Sequence, residues 1–279
     1  MPAYNTANND TRSFDMAMKK FNLIPLISLL FVFCTSLPDE STEQNANQKQ
    51  KSDWSEMNLN GQVKLIREST YKAVERNGEV QMGERKDSTI YIFNDKGNKI
   101  EMNGYKPEGG LDWRSTYQYD SNQNNIERNI FKPDGSLGVN YISKYDSSGN
   151  IIEDMSYDPT GSLNWKSIYK NDNNGNIIEE KMYKPEGRLD WKYTWKYDGN
   201  GKKIETNFYK PDGTLTSKQT YKYDDNANLI ERNRYNPDGS LKTRYTYRYD
   251  YDKYLNWIKR IELENDVPLS VWQREIEYF

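Results

Sequence analysis

The sequence predicts an all-β protein, an antiparallel meander of hairpin repeats about 26 residues long that forms a strongly twisted, curled sheet or a partly closed barrel. Three observations predict it: a fixed period, turn residues at fixed places within the period, and alternating apolar residues between the turns.

The period is read from Tyr105-Lys-Pro-Glu-Gly, Phe131-Lys-Pro-Asp-Gly, Tyr157-Asp-Pro-Thr-Gly, Tyr183-Lys-Pro-Glu-Gly, Tyr209-Lys-Pro-Asp-Gly and Tyr235-Asn-Pro-Asp-Gly, each 26 residues after the last. A second signature keeps the same register: Phe93-Asn-Asp, Tyr119-Asp120, Tyr145-Asp146, Asn171-Asp172, Tyr197-Asp198, Tyr223-Asp224 and Tyr249-Asp250. Pro with Asp-Gly presets a tight turn, and Asp followed by Gly-Asn supplies a side-chain acceptor and a residue tolerant of positive φ. Each unit is therefore two segments divided by two turns.

The segments read as strands. Leu111, Leu137, Leu163, Leu189, Leu215 and Leu241 form one column, Trp113, Trp165 and Trp191 fall in a second, and Tyr117, Tyr169, Trp195, Tyr221 and Tyr247 in a third, with mostly polar residues between. A four-residue loop after Asp146 sets Lys144 opposite Glu153, and by translation Lys170 opposite Glu179, Lys196 opposite Glu205, Lys222 opposite Glu231 and Gln118 opposite Glu127. The same register puts Tyr145, Tyr197 and Tyr223 opposite Ile152, Ile204 and Ile230 as inward pairs. Aromatic pairs on one face and charge pairs on the other are what a half-buried sheet requires.

Residues 58–104 read as a degenerate first unit, and the last unit carries extra residues at Tyr251-Asp252 before a closing strand over Trp272–Phe279. Atypical terminal units cap repeat arrays. About 14 strands result, too many for an open flat sheet, so the sheet is expected to curl with its aromatic columns inside.

The domain organisation follows: residues 1–37 an export signal with an upstream extension, 38–57 a polar linker, and 58–279 the β-repeat domain, with units at about 105, 131, 157, 183, 209 and 235. From Met18 the chain runs Lys-Lys, then an apolar stretch too short to span a bilayer, then small and polar residues, the layout of an export signal. Cys34 ends that stretch. Acylation of Cys34 after lipoprotein-type cleavage, and ordinary cleavage after Ser36, are both open.

Composition narrows the chemistry. The chain has 279 residues, 39 basic and 42 acidic side chains, no His, one Cys and 23 Tyr. Proton shuttling by His, His-ligated metals and Cys/His nucleophiles lack their central residue. The mixed charges, net −3, do not form the basic face of a nucleic-acid binder.

The Tyr-x-Tyr-Asp-x-x-Gly-Asn core with its preceding Asp-Gly turn resembles the YD repeats of the RHS family. The closest matches are Pro237-Asp-Gly-Ser-Leu with Tyr247-Arg-Tyr-Asp250, Pro133-Asp-Gly-Ser-Leu with Tyr145-Asp-Ser-Ser-Gly-Asn150, and Tyr221-Lys-Tyr-Asp-Asp-Asn-Ala-Asn228. Over about residues 88–250 it is also similar to small exported bacterial repeat proteins, often lipoproteins. The resemblance implies an envelope or secreted protein whose strands spiral into a shell, with carbohydrate binding or cargo enclosure as associated roles. The period here is longer than is usual for YD repeats.

No catalytic residue, metal site or cofactor is expected. The Glu column is read as the outward half of the Lys–Glu pairs, and the turns beginning at Asp120, Asp172 and Asp224 as hairpin chemistry. The functional candidates are Trp113, Trp165, Trp191 and Trp195, which either fill a core or stack on sugar rings. The expected role is a non-enzymatic binding or structural module of the bacterial envelope. A glycan and a surface protein are its open partners, and a lipid anchor its one membrane contact.

Overall fold

In the computed structural model, which describes residues 52–279, every predicted hairpin forms and the sheet closes completely. A single helical turn, α1 (Asp53–Glu56), precedes the strands. The first eight strands are β1 (Val63–Arg76), β2 (Glu79–Phe93), β3 (Lys99–Tyr105), β4 (Leu111–Tyr119), β5 (Asn125–Phe131), β6 (Leu137–Tyr145), β7 (Ile151–Tyr157) and β8 (Leu163–Asn171). The remainder are β9 (Ile177–Tyr183), β10 (Leu189–Tyr197), β11 (Lys203–Tyr209), β12 (Leu215–Tyr223), β13 (Leu229–Tyr235), β14 (Leu241–Tyr251), β15 (Trp257–Glu264) and β16 (Val267–Tyr278). Each strand pairs antiparallel with its sequence neighbours, and β16 pairs with β1 to complete a 16-strand barrel. The expected partly closed barrel is thus fully closed, with 16 strands rather than about 14. Barrels of this strand number enclose a lumen.

The turns form as their residues dictate. In the β6–β7 turn, Asp146 Oδ1 accepts the N–H groups of Ser148 and Asn150, each at 2.9 Å, and Gly149 takes φ +80°. The Pro-Asp-Gly turns do the same with fewer bonds: Asp134 Oδ1 accepts the Ser136 N–H at 2.9 Å. The two turn types define two barrel ends, here called the Tyr-Asp end and the Pro-Gly end.

The outward register is as expected: Lys144 faces Glu153, Lys170 Glu179, Lys196 Glu205, Lys222 Glu231 and Gln118 Glu127. The inward register differs at both ends of each hairpin. Tyr145 pairs with Ile151, Tyr197 with Lys203 and Tyr223 with Leu229, which leaves Ile152, Ile204 and Ile230 as extra, bulged residues. Ile152 is 40% exposed rather than inward. At the other end a bulge pairs Leu163 with Tyr157 and Leu111 with Tyr105. These tyrosines lie an even number of residues from the outward Glu153 and Glu101, so the Leu column shares their outward side instead of lining the core. Bulges sharpen local twist, and a pair of them in every repeat supplies the curvature that a flat pleat lacks.

Register carried around the barrel assigns the two faces. Outside lie the Lys–Glu pairs with Asn103, Asn129, Asn207 and Asn233. Inside lie Trp113, Tyr117, Tyr141, Trp165, Tyr169, Trp191, Tyr193, Trp195, Tyr221 and Tyr247.

The fully packed part of the interior is at the Tyr-Asp end. Trp54, Met57 and Leu59 pack on Val63, Ile66, Tyr91, Phe93, Met102 and Tyr117. Trp54 donates its indole N–H to the Val63 carbonyl at 2.8 Å and covers Gly97, where a Cβ would lie 2.6 Å from the ring. The segment then crosses that mouth: Asn58 donates to the Asn226 carbonyl at 2.9 Å and the Asn60 N–H to Asn256 Oδ1 at 2.7 Å. The folded body therefore begins upstream of residue 58, and Asp53–Met57, which composition assigns to the linker, is part of it. The expected export signal, Cys34 and linker residues 38–51 lie outside the described residues.

Candidate ligand-binding lumen

Repetition is close at the turns and in one outward column but looser on the inner face. The outward column holds glutamate in every unit: Glu101, Glu127, Glu153, Glu179, Glu205 and Glu231. One residue further along, the inward column reads Met102, Arg128, Asp154, Glu180, Thr206 and Arg232. Copies of one hairpin share a scaffold requirement at every turn. In that column the inner wall changes from apolar to cationic to acidic and back to cationic around the barrel.

Three of the four candidate tryptophans come together. Trp165 on β8 and Trp191 and Trp195 on β10 lie on one arc of the inner wall, each partly exposed to the lumen. Tyr141 tilts against Trp165 with centroids 6.0 Å apart, Tyr193 stacks on Trp195 at 6.1 Å, and Phe208 meets Tyr193 edge-on at 5.2 Å. Trp113 is elsewhere. Its indole lies on Gly104 of β3, where an added Cβ would fall 2.3 Å from the ring, and it packs against the buried cluster under α1. Trp113, itself only partly buried, packs at the edge of the core rather than with the other three.

Between the aromatics sit two carboxylates that sequence reasoning missed. Tyr169 Oη donates to Asp154 Oδ2 at 3.0 Å and lies 3.5 Å from Glu180 Oε1, which also accepts Ser167 Oγ at 2.6 Å. Burial holds both carboxyls above the usual carboxylate range. Burial also pushes the Tyr193 hydroxyl up to about 12. Parity could have found them: a residue next to an outward Glu points inward, and an acid there is not a solvated surface charge.

Flanking this acidic arc, the wall turns cationic. Arg128 stacks between Tyr117 and Tyr141, 5.5 Å from each ring. On the other side Lys203 lies over Tyr221 at 4.9 Å and Arg232 over Tyr245 at 4.3 Å. Burial, then the neighbouring Arg232, pushes the Lys203 amine down to about 8. Rings with one polar edge, bracketed by carboxylates and cations, can stack on an apolar ring face while bonding its hydroxyls.

The outer face has the opposite character. Lys144 donates to Glu153 at 2.7 Å, Lys196 to Glu205 at 2.8 Å, and Lys222 and Arg244 both reach Glu231. Hydrogen bonds from Lys144 and Lys166 hold the Glu153 carboxyl below the usual range. Outward cations continue at mid-strand with Arg114, Lys166, Lys192, Lys218 and Arg244, where a membrane barrel carries an apolar band. Among the described residues no helix is long and apolar enough to cross a membrane.

No protein-family model and no curated protein matches the chain. Similar solved structures exist. A porin-like protein from Bacteroides uniformis is 11% identical, with 77% of this chain and 96% of that chain covered at a TM-score of 0.52. The likeness is one of fold. A porin-like protein from Bacteroides vulgatus is 12% identical over 78% of this chain and 99% of that one, at a TM-score of 0.46. The Photorhabdus luminescens Tc holotoxin pore is 13% identical over 75% of this chain and 14% of that one, at a TM-score of 0.28.

Proposed function

We propose that this chain is an exported, non-enzymatic binding protein of the bacterial envelope whose barrel takes a carbohydrate into its lumen. The observation that carries the reading is the inner wall on which Trp165, Trp191, Tyr193 and Trp195 form a partly exposed aromatic arc, set against an outward column of glutamates repeated in every unit. Aromatic rings offer sugars a flat apolar surface, and Asp154, Glu180 and Ser167 supply acceptors and a donor at its edge.

The charged outer face supports a barrel standing in water rather than in lipid, despite the porin-like strand order. Each Lys or Arg on a lipid-facing wall at the bilayer midplane costs about 2–4 kcal/mol, and the repeated strands carry such charges in succession. On this reading the hairpin is an RHS-type YD repeat, the export signal delivers the barrel to the envelope, and Cys34 either anchors it or is removed.

A glycan array on the full chain tests the proposal. Expected are hits that quench tryptophan fluorescence, with quenching lost in a Trp191→Ala, Trp195→Ala double variant. An array without hits, or quenching unaffected by that variant, overturns the luminal site. Release of reducing ends from a bound glycan would overturn the non-enzymatic reading and make Asp154 and Glu180 the catalytic pair.

A further inference from the structure

The inner wall builds one constellation twice, four repeats apart and eight strands apart around the barrel. In the first copy Lys99 lies 5.0 Å over the Tyr117 ring, Tyr119 Oη bonds the Lys99 carbonyl at 2.8 Å, and Arg128 stacks on Tyr117. In the second, Lys203 lies 4.9 Å over the Tyr221 ring, Tyr223 Oη donates to the Lys203 carbonyl at 2.9 Å, and Arg232 stands beside them.

The copies differ in how their cations are met: Arg128 donates to Ser115 Oγ at 2.9 Å and Arg232 pairs with Glu262 Oε1 at 3.6 Å, and the carboxylate that meets the lysine is present at one copy only. At the first, a carboxylate arrives from outside the repeats: Asp53 of α1 sets Oδ1 3.6 Å from Lys99 Nζ, while its Oδ2 accepts the Lys99 N–H at 2.8 Å and lies 2.8 Å from Tyr119 Oη. At the second, among the described residues Lys203 makes no ion pair, although it is only 6% exposed. A buried cation beside a second cation is unfavourable until an anion joins it. The first copy shows which anion this geometry accepts.

We infer that Lys203 and Tyr223 receive a carboxylate supplied by the ligand, in the place Asp53 takes at Lys99 and Tyr119, so that the glycan bound by the lumen is an acidic one carrying uronic acid. This rests on the luminal carbohydrate reading and narrows it. A sugar is favoured over an acidic peptide because Tyr197 pairs with Lys203 and Trp195 with Thr206, three residues further along the same strand, which sets a stacking surface on the wall that carries the amine.

The test is calorimetric titration of the full chain with trigalacturonic acid, its methyl ester, neutral galactotriose and a pentaglutamate peptide, repeated on Lys203→Met. Expected is a preference of at least about tenfold for the acid over its ester and the neutral sugar, abolished in K203M, since truncating one partner of a buried charge pair has effects of that size or more. Wild-type preference is read without any variant, so the test survives a folding failure of K203M. Equal or tighter binding of the neutral sugar overturns this inference while leaving the carbohydrate reading. Binding of none of the sugars overturns both. Binding of the peptide alone, lost in K203M, overturns the assignment of the carboxylate to a sugar.

Discussion

Tyr197 donates its hydroxyl proton to the carbonyl of Ile177, 2.7 Å away and twenty residues earlier in the chain. The relationship recurs at Tyr119 with Lys99, Tyr145 with Asn125, Tyr223 with Lys203 and Tyr249 with Leu229, and Asn171 serves the Ile151 carbonyl with its amide at 2.8 Å. Each bond ties one hairpin to the one before it. The carbonyl lies at the start of a strand, next to the bulge, where a ladder partner is displaced. The tyrosine of each Tyr-Asp pair is therefore a staple between repeats.

Replacement of Tyr197 or Tyr249 by Phe removes one such bond and leaves the ring. Each is expected to destabilise the barrel by about 0.5–1.5 kcal/mol. The pair lie four strands apart, so their effects should add. Urea unfolding of the single and double variants checks this, and a double variant no weaker than either single would deny the staple its role.

The tryptophans divide by role. Trp113→Ala opens a cavity against Gly104 and the cluster under α1 and is expected to lose about 3–5 kcal/mol. Trp191→Ala and Trp195→Ala, which lie away from that buried cluster, should lose less stability and more ligand affinity. Chemical denaturation and fluorescence titration on the same three variants separate the two effects.

The Asp154 and Glu180 carboxyls hold protons more tightly folded than unfolded because burial disfavours their charge. Their contribution is full at low pH and is lost as pH rises through their folded-state pKa values. Glu180→Gln should therefore raise Tm by a few degrees at neutral pH, and the gain should vanish toward about pH 4. Melts at several pH values decide it. A gain independent of pH would assign the effect to packing.

Lys203 has the reverse sign. With its amine pushed from 10.5 down to about 8, the folded state is penalised below pH 8 and relieved as pH rises toward 10.5. Without ligand, Lys203→Met is expected to stabilise the barrel at pH 7 by up to about 3 kcal/mol and to lose that advantage above pH 10. Denaturant midpoints at pH 7 and 10 test it.

Asp53 and Lys99 form a mostly buried pair that holds α1 in the Tyr-Asp mouth. Asp53→Ala leaves the Lys99 amine uncompensated, a change that costs about 3–5 kcal/mol at buried pairs. Amide exchange should show faster opening at residues 52–60 than in the central strands, and unchanged protection there would detach the segment from barrel stability.

What the sequence by itself determined is local and periodic. Asp-Gly and Asp-x-x-Gly-Asn specify turns through side-chain acceptors and positive φ, and alternation specifies strands and the outward Lys–Glu register, because these depend on residues close together in the chain. Closure depended on the whole. It required the bulges at Ile152 and its equivalents, which let each tyrosine reach a carbonyl in the preceding hairpin, and the meeting of β16 with β1 across two hundred residues of chain. The site was legible only in part for the same reason. Trp165, Trp191 and Trp195 announce themselves by type, but Asp154, Glu180 and Lys203 acquire meaning only when closure turns their face away from water and sets distant repeats around one lumen.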